Sequence, residues 1–134
     1  MISLLEKNKL LSWGITLLIA ITIFYVSSLT SRQIPGGGGT GLRAILYHII
    51  IFFLFAFFLA ISLVQGKKKD LISLAIILAV AYGITDEIHQ YFVPGRASSF
   101  SDFLLDSLGI LFASMIYFIS LKSRHLIKLN NKVR

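Results

Sequence analysis

The sequence predicts an all-α integral membrane protein, a bundle of four transmembrane helices with both termini in the cytoplasm. Of its 134 residues, 56% are hydrophobic and only 14% are charged, whereas a soluble domain usually carries about a quarter charged residues. The mean hydropathy is +0.83, and the apolar residues come in blocks long enough to cross a bilayer. We therefore interpret residues 1–134 as a single membrane domain.

Four apolar blocks predict the four spans. They cover residues 10–29, 42–64, a third block that begins at 71, and 103–121. In the third block, the uninterrupted apolar part from Leu71 to Thr85 gives roughly 22 Å of helix, which is less than the ~30 Å of hydrocarbon in a bilayer. Extension to Phe92 gives roughly 33 Å, so we expect a span over 71–92 that contains the polar run 86–90. A short or re-entrant third span is the alternative.

The basic residues predict the orientation. Most of them lie in the two terminal tails and in the link between the second and third blocks: Lys7, Lys9, Lys67, Lys68, Lys69, Lys122, Arg124, Lys128, Lys132 and Arg134. The other side has Arg32, Arg43 and Arg96. By the positive-inside rule both termini are cytoplasmic, and an even number of spans agrees with this. The links at 30–41 and 93–102 then face outward.

Composition also limits the chemistry. The chain has no cysteine, which excludes disulfides, thiolate catalysis and cysteine-ligated metals. Its net charge of +7 does not indicate nucleic-acid binding, because the basic residues flank apolar blocks as a topology signal would. Gly36, Gly38 and Gly41 fit the spacing G-x-G-x-x-G, but a dinucleotide site needs a preceding strand, and a predicted membrane helix precedes this run. No cofactor is expected.

Three of the predicted spans carry ionisable residues at a similar depth. Below the outward end of its helix, Asp86 lies roughly 8 Å deep, Asp106 roughly 6 Å and His48 roughly 9 Å. Such residues cost on the order of 2.5–3.5 kcal/mol at the centre of a span on insertion scales, and they commonly mark functional sites. The candidate pocket consists of His48, Asp86, Glu87, His89, Gln90, Arg96, Asp102 and Asp106.

The turn that follows the third span supports this grouping. Residues 93–96 have Pro and Gly at the two central positions of a type II turn, and the turn would let Arg96 fold back over the cluster. An arginine opposite carboxylates would keep them ionised. On the fourth span, Asp106 shares a helical stripe with Gly109 and Ala113, whose small side chains let a neighbouring helix approach closely.

Each candidate also has a structural interpretation. His48 on an apolar helix is commonly a hydrogen-bonded packing residue. Asp102, three residues after Ser99, fits a capping pattern at a helix start. Arg96 would then only balance the acidic groups. Asp86 beside Glu87 is harder to explain by packing alone, because two adjacent carboxylates at membrane depth are unfavourable without partners.

These residues resemble the signature of the VanZ-like family. The resemblance is carried by Asp86-Glu87-x-His89-Gln90, Pro94-Gly95-Arg96, residues 99–102, Asp106, Gly109, Ser27-Ser28 and His48. It covers the whole chain, because the family domain is a small four-span unit, although the family often has Asn at the position of Asp106. The family takes its name from a teicoplanin-resistance protein of glycopeptide-resistant bacteria. The resemblance therefore implies a cell-envelope role at the plasma membrane and a contribution to antibiotic resistance.

Three functions stay open at this point. The first is a multi-pass protein that binds or modulates a cell-envelope component, with the lipid bilayer and a cell-wall lipid intermediate or a glycopeptide as partners. The second is a membrane-embedded enzyme that acts on a lipid or a lipid-linked phosphate headgroup. In it, Asp86, Glu87, His89 and Asp106 would hold Mg²⁺, Mn²⁺ or Zn²⁺ or act as general acid and base. The third is a structural role that holds the helices in register. The sequence does not decide whether the protein is an enzyme, and it assigns no catalytic residue or metal ligand.

Overall fold

The computed structural model describes residues 2–34, 41–96 and 98–133, and this part of the chain forms five α-helices without a strand. They are α1 at Ile2–Lys7, α2 at Lys9–Ser27, α3 at Leu42–Val64, α4 at Leu71–Tyr91 and α5 at Phe100–Val133. By length and composition, α2 to α5 are suited to cross a membrane. The predicted all-α class with four spans is thus confirmed, and the cytoplasmic location of the termini stays a prediction.

The helix bounds agree with most of the predicted spans. The second span has the predicted ends, and α4 ends at Tyr91 with the polar run 86–90 inside the helix. Helix α5 is longer than the predicted fourth span, since it continues past Leu121 to Val133. No Gly or Pro interrupts residues 122–133, and Leu, Lys and Arg favour helix. The predicted glycine-rich turn at 36–40 lies outside the described residues.

Helix α3 is the centre of the bundle and packs against all the other helices. Much of the buried core comes from it: Phe52, Phe55, Ala56, Leu59, Ala60, Ile61 and Val64. In contrast, α2 keeps Leu17, Leu18 and Ile21 on the surface. Such apolar surface is suited to contact lipid chains, which are as apolar as leucine.

Helices α3 and α5 approach each other closely at Gly109. A Cβ atom at Gly109 would lie 2.4 Å from the carbonyl oxygen of Ile49 and 2.9 Å from the backbone nitrogen of Phe53. Asp106 and Ala113, about one turn away on either side, are both fully buried. The small-residue stripe predicted from the sequence therefore faces α3, and it brings Asp106 next to the turn of α3 that carries His48.

The link between α4 and α5 is a tight turn followed by a capped helix start. The backbone N–H of Arg96 donates to the carbonyl of Val93 at 3.1 Å, and Gly95 has a φ of +76°, which glycine adopts without strain. This is the turn expected from the Pro-Gly pair. The hydroxyl of Ser99 accepts from the backbone N–H of Ser101 at 3.1 Å and caps the first turn of α5.

At the other end of the bundle, a group of three residues joins α1 to α5. We call Glu6, Tyr117 and Arg124 the Glu6 cluster. Glu6 Oε2 accepts from Arg124 Nη1 at 2.6 Å, and Oε1 accepts from Arg124 Nη2 and from the Tyr117 hydroxyl, both at 2.8 Å. The arginine thus holds the carboxylate in a two-pronged, charge-assisted geometry.

Candidate functional site

The candidate site is a buried polar cluster where α2, α3, α4 and α5 meet. We define the acidic cluster as Ser27, His48, Asp86, Glu87, Gln90, Arg96 and Asp106. Apart from Arg96, which is partly buried, none of these residues is more than 8% exposed. His48 interacts electrostatically with Asp86, Glu87 and Asp106, so the cluster is continuous across three helices.

The carboxylate of Asp86 has a hydrogen-bond donor on each oxygen. The Ser27 hydroxyl donates to Oδ1 at 2.5 Å, and Gln90 Nε2 donates to Oδ2 at 2.8 Å. Gln90 lies one turn beyond Asp86 on α4, where side chains four residues apart meet. Ser27, at the end of α2, thereby couples that helix to α4.

Arg96 folds back over the cluster, but it does not bind a carboxylate directly. Its Nη2 donates to Gln90 Oε1 at 2.9 Å, and Gln90 in turn binds Asp86. Within the described residues, no carboxylate lies in ion-pair distance of Arg96. The expectation that Arg96 pairs with the acids is therefore corrected: the contact runs through a neutral amide, because Gln90 lies between the guanidinium and Asp86.

His48 and Asp106 form a buried pair between α3 and α5. His48 Nδ1 lies 2.8 Å from Asp106 Oδ1, in agreement with the interpretation of His48 as a hydrogen-bonded residue. The second oxygen of Asp106, Oδ2, is buried and has no hydrogen-bond partner. It lies near Gly83 of α4, where a Cβ atom would be 3.8 Å from this oxygen.

Glu87 connects α4 to the start of α5. Its Oε2 accepts from the hydroxyl of Ser98 and from the backbone N–H of Ser99, both at 3.1 Å. Its Oε1 is buried and has no hydrogen-bond partner. Glu87 therefore anchors the link after α4 with one oxygen and leaves the other free for a further interaction.

Two of the predicted candidates, His89 and Asp102, are not in the acidic cluster as defined above, although Asp102 interacts electrostatically with His48 and Glu87. His89 Nε2 is 3.0 Å from the Ser28 hydroxyl, and its ring packs on Phe24 with centroids 4.7 Å apart, on the α2 side. Asp102 is partly buried in the first turn of α5, where a carboxylate is favoured by the helix dipole. His89 is three residues after Asp86 on α4. This spacing places His89 at the edge of the helix face that carries Asp86 and Gln90, on the side of α2.

The expected metal-ligand set of Asp86, Glu87, His89 and Asp106 is therefore not brought together. Within the described residues, the group that offers ligand atoms close enough for one ion is His48, Glu87 and Asp106, whose atoms lie within 4.8 Å of one another. Asp86 is already bound by Ser27 and Gln90, and His89 by Ser28.

Sequence reasoning gave no role to Tyr47 or Ser98. The Tyr47 hydroxyl is buried without a hydrogen-bond partner, and its ring meets that of His48 edge-on with centroids 5.8 Å apart. Ser98 binds Glu87 as described above. A signal for Tyr47 was available, because it adjoins His48 at the outward end of an apolar helix.

An apolar groove of about 480 Å³ opens beside the cluster, between the end of α4 and the start of α5. It is lined by Ile84, Glu87, Ile88, Tyr91, Phe92, Ser98, Ser99, Phe100 and Phe103. Among the described residues of this lining, Glu87 is the only charged one. The groove therefore joins a surface that suits an apolar chain to one carboxylate of the acidic cluster.

A family model described as VanZ/LLP1 matches residues 7–121. The chain belongs to the VanZ/LLP1 family. The match includes α2, α3, α4 and the part of α5 that carries Asp106, so the whole acidic cluster lies within the VanZ/LLP1 region. No curated protein and no solved structure matches the chain. Together with its four apolar helices, the family identifies a VanZ-like membrane protein.

Proposed function

We propose that this VanZ-like protein binds an amphiphilic component of the cell envelope at the plasma membrane and thereby contributes to glycopeptide (teicoplanin) resistance. The apolar part of the ligand would occupy the groove between α4 and α5, and its polar headgroup would contact Arg96 and Glu87. The observation that carries the proposal is a set of buried polar atoms without partners, next to an apolar groove.

These atoms are Tyr47 Oη, Glu87 Oε1, Arg96 Nε and Asp106 Oδ2. All four belong to the acidic cluster or to the residue beside His48. Buried polar atoms in native proteins are nearly always hydrogen-bonded, and leaving one unsatisfied costs about 1–3 kcal/mol. A bound headgroup with hydroxyl, amide or phosphate groups would supply the missing partners.

Arg96 is the best candidate for contact with an anionic group. A guanidinium matches the geometry of phosphate and carboxylate. Because Arg96 is held by the neutral Gln90 amide and has no carboxylate in ion-pair distance, its charge is available to a ligand. Ser27, Asp86 and Gln90 act here as positioning residues, since their hydrogen bonds fix the amide that holds the guanidinium.

A lipid-linked cell-wall intermediate has the required chemistry, with an apolar chain joined to a phosphate-bearing headgroup. A glycopeptide drug is the other candidate ligand. Both would be met on the outward side that the lysine and arginine distribution predicts, and the groove would admit either from the surrounding bilayer.

Complementation of a strain that lacks this gene tests the proposal. Arg96→Ala should reduce teicoplanin resistance to the level of the empty vector, because the anionic contact is lost, and Arg96→Lys should restore part of it. Arg43→Ala is the matched control, since Arg43 is an exposed arginine at the start of α3. Resistance that is unchanged in Arg96→Ala at equal membrane abundance would refute the proposal.

The structural alternative is tested separately with Asp86→Asn. An asparagine keeps one acceptor for Ser27 but cannot also accept from Gln90, so a loss of about 0.5–1.5 kcal/mol in the free energy of unfolding is expected. Thermal melting of the purified variants in detergent measures it. If Arg96→Ala unfolds the protein and lowers its abundance along with resistance, the acidic cluster has the structural role.

A second function, an enzyme acting on a lipid-linked phosphate headgroup, is favoured by one observation. His48, Glu87 and Asp106 join an imidazole to two buried carboxylates, a combination that can transfer protons or hold a metal. It predicts turnover of a lipid phosphate by the purified protein, which the binding function does not require.

A further inference from the structure

Three buried side chains from three helices converge at the centre of the acidic cluster. His48 comes from α3, Glu87 from α4 and Asp106 from α5, and one nitrogen or oxygen of each lies within 4.8 Å of the others. Their exposed fractions are 6%, 8% and 0%. The bundle thus brings together an imidazole and two carboxylates that are far apart in the sequence and shielded from solvent.

The hydrogen bonds of the two carboxylates are incomplete on one side. Asp106 Oδ1 is bound by His48 Nδ1 and Glu87 Oε2 by Ser98 and Ser99, whereas Asp106 Oδ2 and Glu87 Oε1 have no partner among the described residues. Both residues are more than nine-tenths buried. Native proteins rarely leave such atoms unpaired, so each one indicates that a further group binds there.

The charges of the cluster indicate the sign of that group. Asp86, Glu87 and Asp106 are three buried carboxylates, and Asp106 interacts electrostatically with the other two. In the described part of the chain, His48 is the one basic group in ion-pair distance of any of them, and Arg96 interacts electrostatically with Asp86, so the three carboxylates still outnumber the basic groups. Buried charges without compensation are strongly unfavourable, and a bound cation would compensate them.

We propose that His48, Glu87 and Asp106 bind one divalent transition-metal ion between α3, α4 and α5. One imidazole with two carboxylates is a donor set that suits Zn²⁺ and Mn²⁺, whereas Mg²⁺ and Ca²⁺ prefer oxygen ligands alone. Of these ions Zn²⁺ should bind most tightly, following the general order of divalent metal affinities. Metal bonds of about 2.0–2.2 Å place tetrahedral ligand atoms roughly 3.4 Å apart, so the most distant of these atoms would have to approach one another by about 1 Å or more.

In the catalytic zinc motif H-E-x-x-H, two ligands come from a single helix. The proposed site differs from it, because each of its three ligands comes from a separate helix. Three protein ligands leave at least one coordination position for water or another molecule. Glu87 also lines the apolar groove, so the ion would lie next to it. The two proposals share the buried oxygens of Glu87 and Asp106, but the proposed function is tested at Arg96, which is not one of the three metal ligands, so the two can fail separately.

The test uses the full-length protein without an affinity tag, purified in detergent and stripped with a chelator. Elemental analysis after addition of Zn²⁺ or Mn²⁺ and removal of excess metal should give one equivalent per chain. Titration calorimetry should give the order Zn²⁺, Mn²⁺, Mg²⁺ from tightest to weakest, and Zn²⁺ should raise the melting temperature.

Asp106→Asn, Glu87→Gln and His48→Gln should each weaken Zn²⁺ binding by more than the roughly 10–100-fold that loss of an outer-shell partner costs. His89→Gln is the matched control, because His89 binds Ser28 outside the cluster, and it should bind Zn²⁺ like the natural sequence. Circular dichroism verifies that each variant keeps its helix content. Absence of stoichiometric binding, a preference for Mg²⁺, or full binding by Asp106→Asn and Glu87→Gln would each overturn the assignment.

Discussion

The two ends of the bundle both bury a carboxylate, and they differ in how its oxygens are satisfied. In the Glu6 cluster, both oxygens of Glu6 accept hydrogen bonds from Arg124, and one also accepts from Tyr117. In the acidic cluster, Glu87 and Asp106 each have one buried oxygen without a partner in the described part of the chain. The charge of Glu6 is matched by a guanidinium, whereas the acids at the other end outnumber the basic groups near them.

This difference supports a structural interpretation of the Glu6 cluster and the proposed binding role of the acidic cluster. Both oxygens of the Glu6 carboxylate accept hydrogen bonds within the chain, and an arginine compensates its charge, so the Glu6 cluster is best explained as a link between α1 and α5. A carboxylate with a free buried oxygen keeps unfavourable free energy that a ligand can relieve. The same residue type, in the same bundle, therefore supports different interpretations.

The largest effect is expected from Gly109→Ala, which would disrupt the acidic cluster alone. The new methyl group would lie 2.4 Å from the Ile49 carbonyl oxygen, and backbone atoms cannot move aside as a flexible side chain can. We expect α3 and α5 to separate near His48 and Asp106, with a loss of about 3 kcal/mol or more in the free energy of unfolding, at or above the upper end of the usual cost of overpacking. Thermal melting measures the loss.

Two glycines provide controls for that substitution. Gly14→Ala, in α2, meets no atom within 4 Å and should leave stability unchanged or raise it by about 0.5–1 kcal/mol, since alanine favours helix. Gly66→Ala has a positive φ of +68°, and its Cβ would lie 2.8 Å from Glu6 Oε2, so it should cost about 1–2 kcal/mol from the backbone alone and also shift the Glu6 side chain. If Gly109→Ala melts like Gly14→Ala, the close packing of α3 on α5 is refuted.

A smaller effect is expected from Glu6→Gln. The neutral amide cannot accept both hydrogen bonds of the Arg124 fork, so the free energy of unfolding should fall by about 1.5–3 kcal/mol. Teicoplanin resistance and Zn²⁺ binding should stay unchanged at equal abundance, because the substitution is at the opposite end. Asp70→Asn, an exposed acid without a side-chain cap hydrogen bond, is the control. Loss of resistance in Glu6→Gln without loss of stability would contradict the separation of roles.

The smallest effect is expected from Tyr47→Phe. Its hydroxyl is buried without a partner, and removal of an unpaired polar group is nearly neutral or stabilising. Tyr82→Phe is the matched comparison, because the Tyr82 hydroxyl donates to the Ala20 carbonyl at 2.7 Å, and its loss should cost about 1 kcal/mol. Melting curves of both variants measure the difference. A larger loss for Tyr47→Phe would indicate that its hydroxyl has a partner.

The fold was largely predictable from the sequence, because apolar blocks of membrane length report directly on spans. The third span required an additional step. Its apolar part alone is too short to cross a bilayer, so the predicted helix was extended through Asp86 and Glu87, and the structure has it end at Tyr91. The turn was predictable for a similar local reason, since Pro94 and Gly95 restrict the backbone themselves.

The partners of the site residues were less predictable, because they depend on which helices pack together. Ser27 and Asp86 are 59 residues apart, and Glu6 and Arg124 are 118 apart. No local pattern links such pairs. The depth of a residue was predictable from helix length, but the direction in which it points around its helix was not. The sequence therefore did not show that His89 lies on the α2 side while His48 contacts Asp106.

Because α5 is one continuous helix of 34 residues, it acts as a molecular ruler across the bilayer. Asp106 and Arg124 lie on this rod roughly 27 Å apart along its axis, close to the ~30 Å thickness of the hydrocarbon layer. If Arg124 and its basic neighbours lie at one headgroup layer, the length of α5 determines the depth of Asp106 below the opposite headgroup layer. A thinner membrane would bring the acidic cluster nearer to water, and a thicker one would sink it deeper, so lipid chain length becomes a means of tuning access to the site.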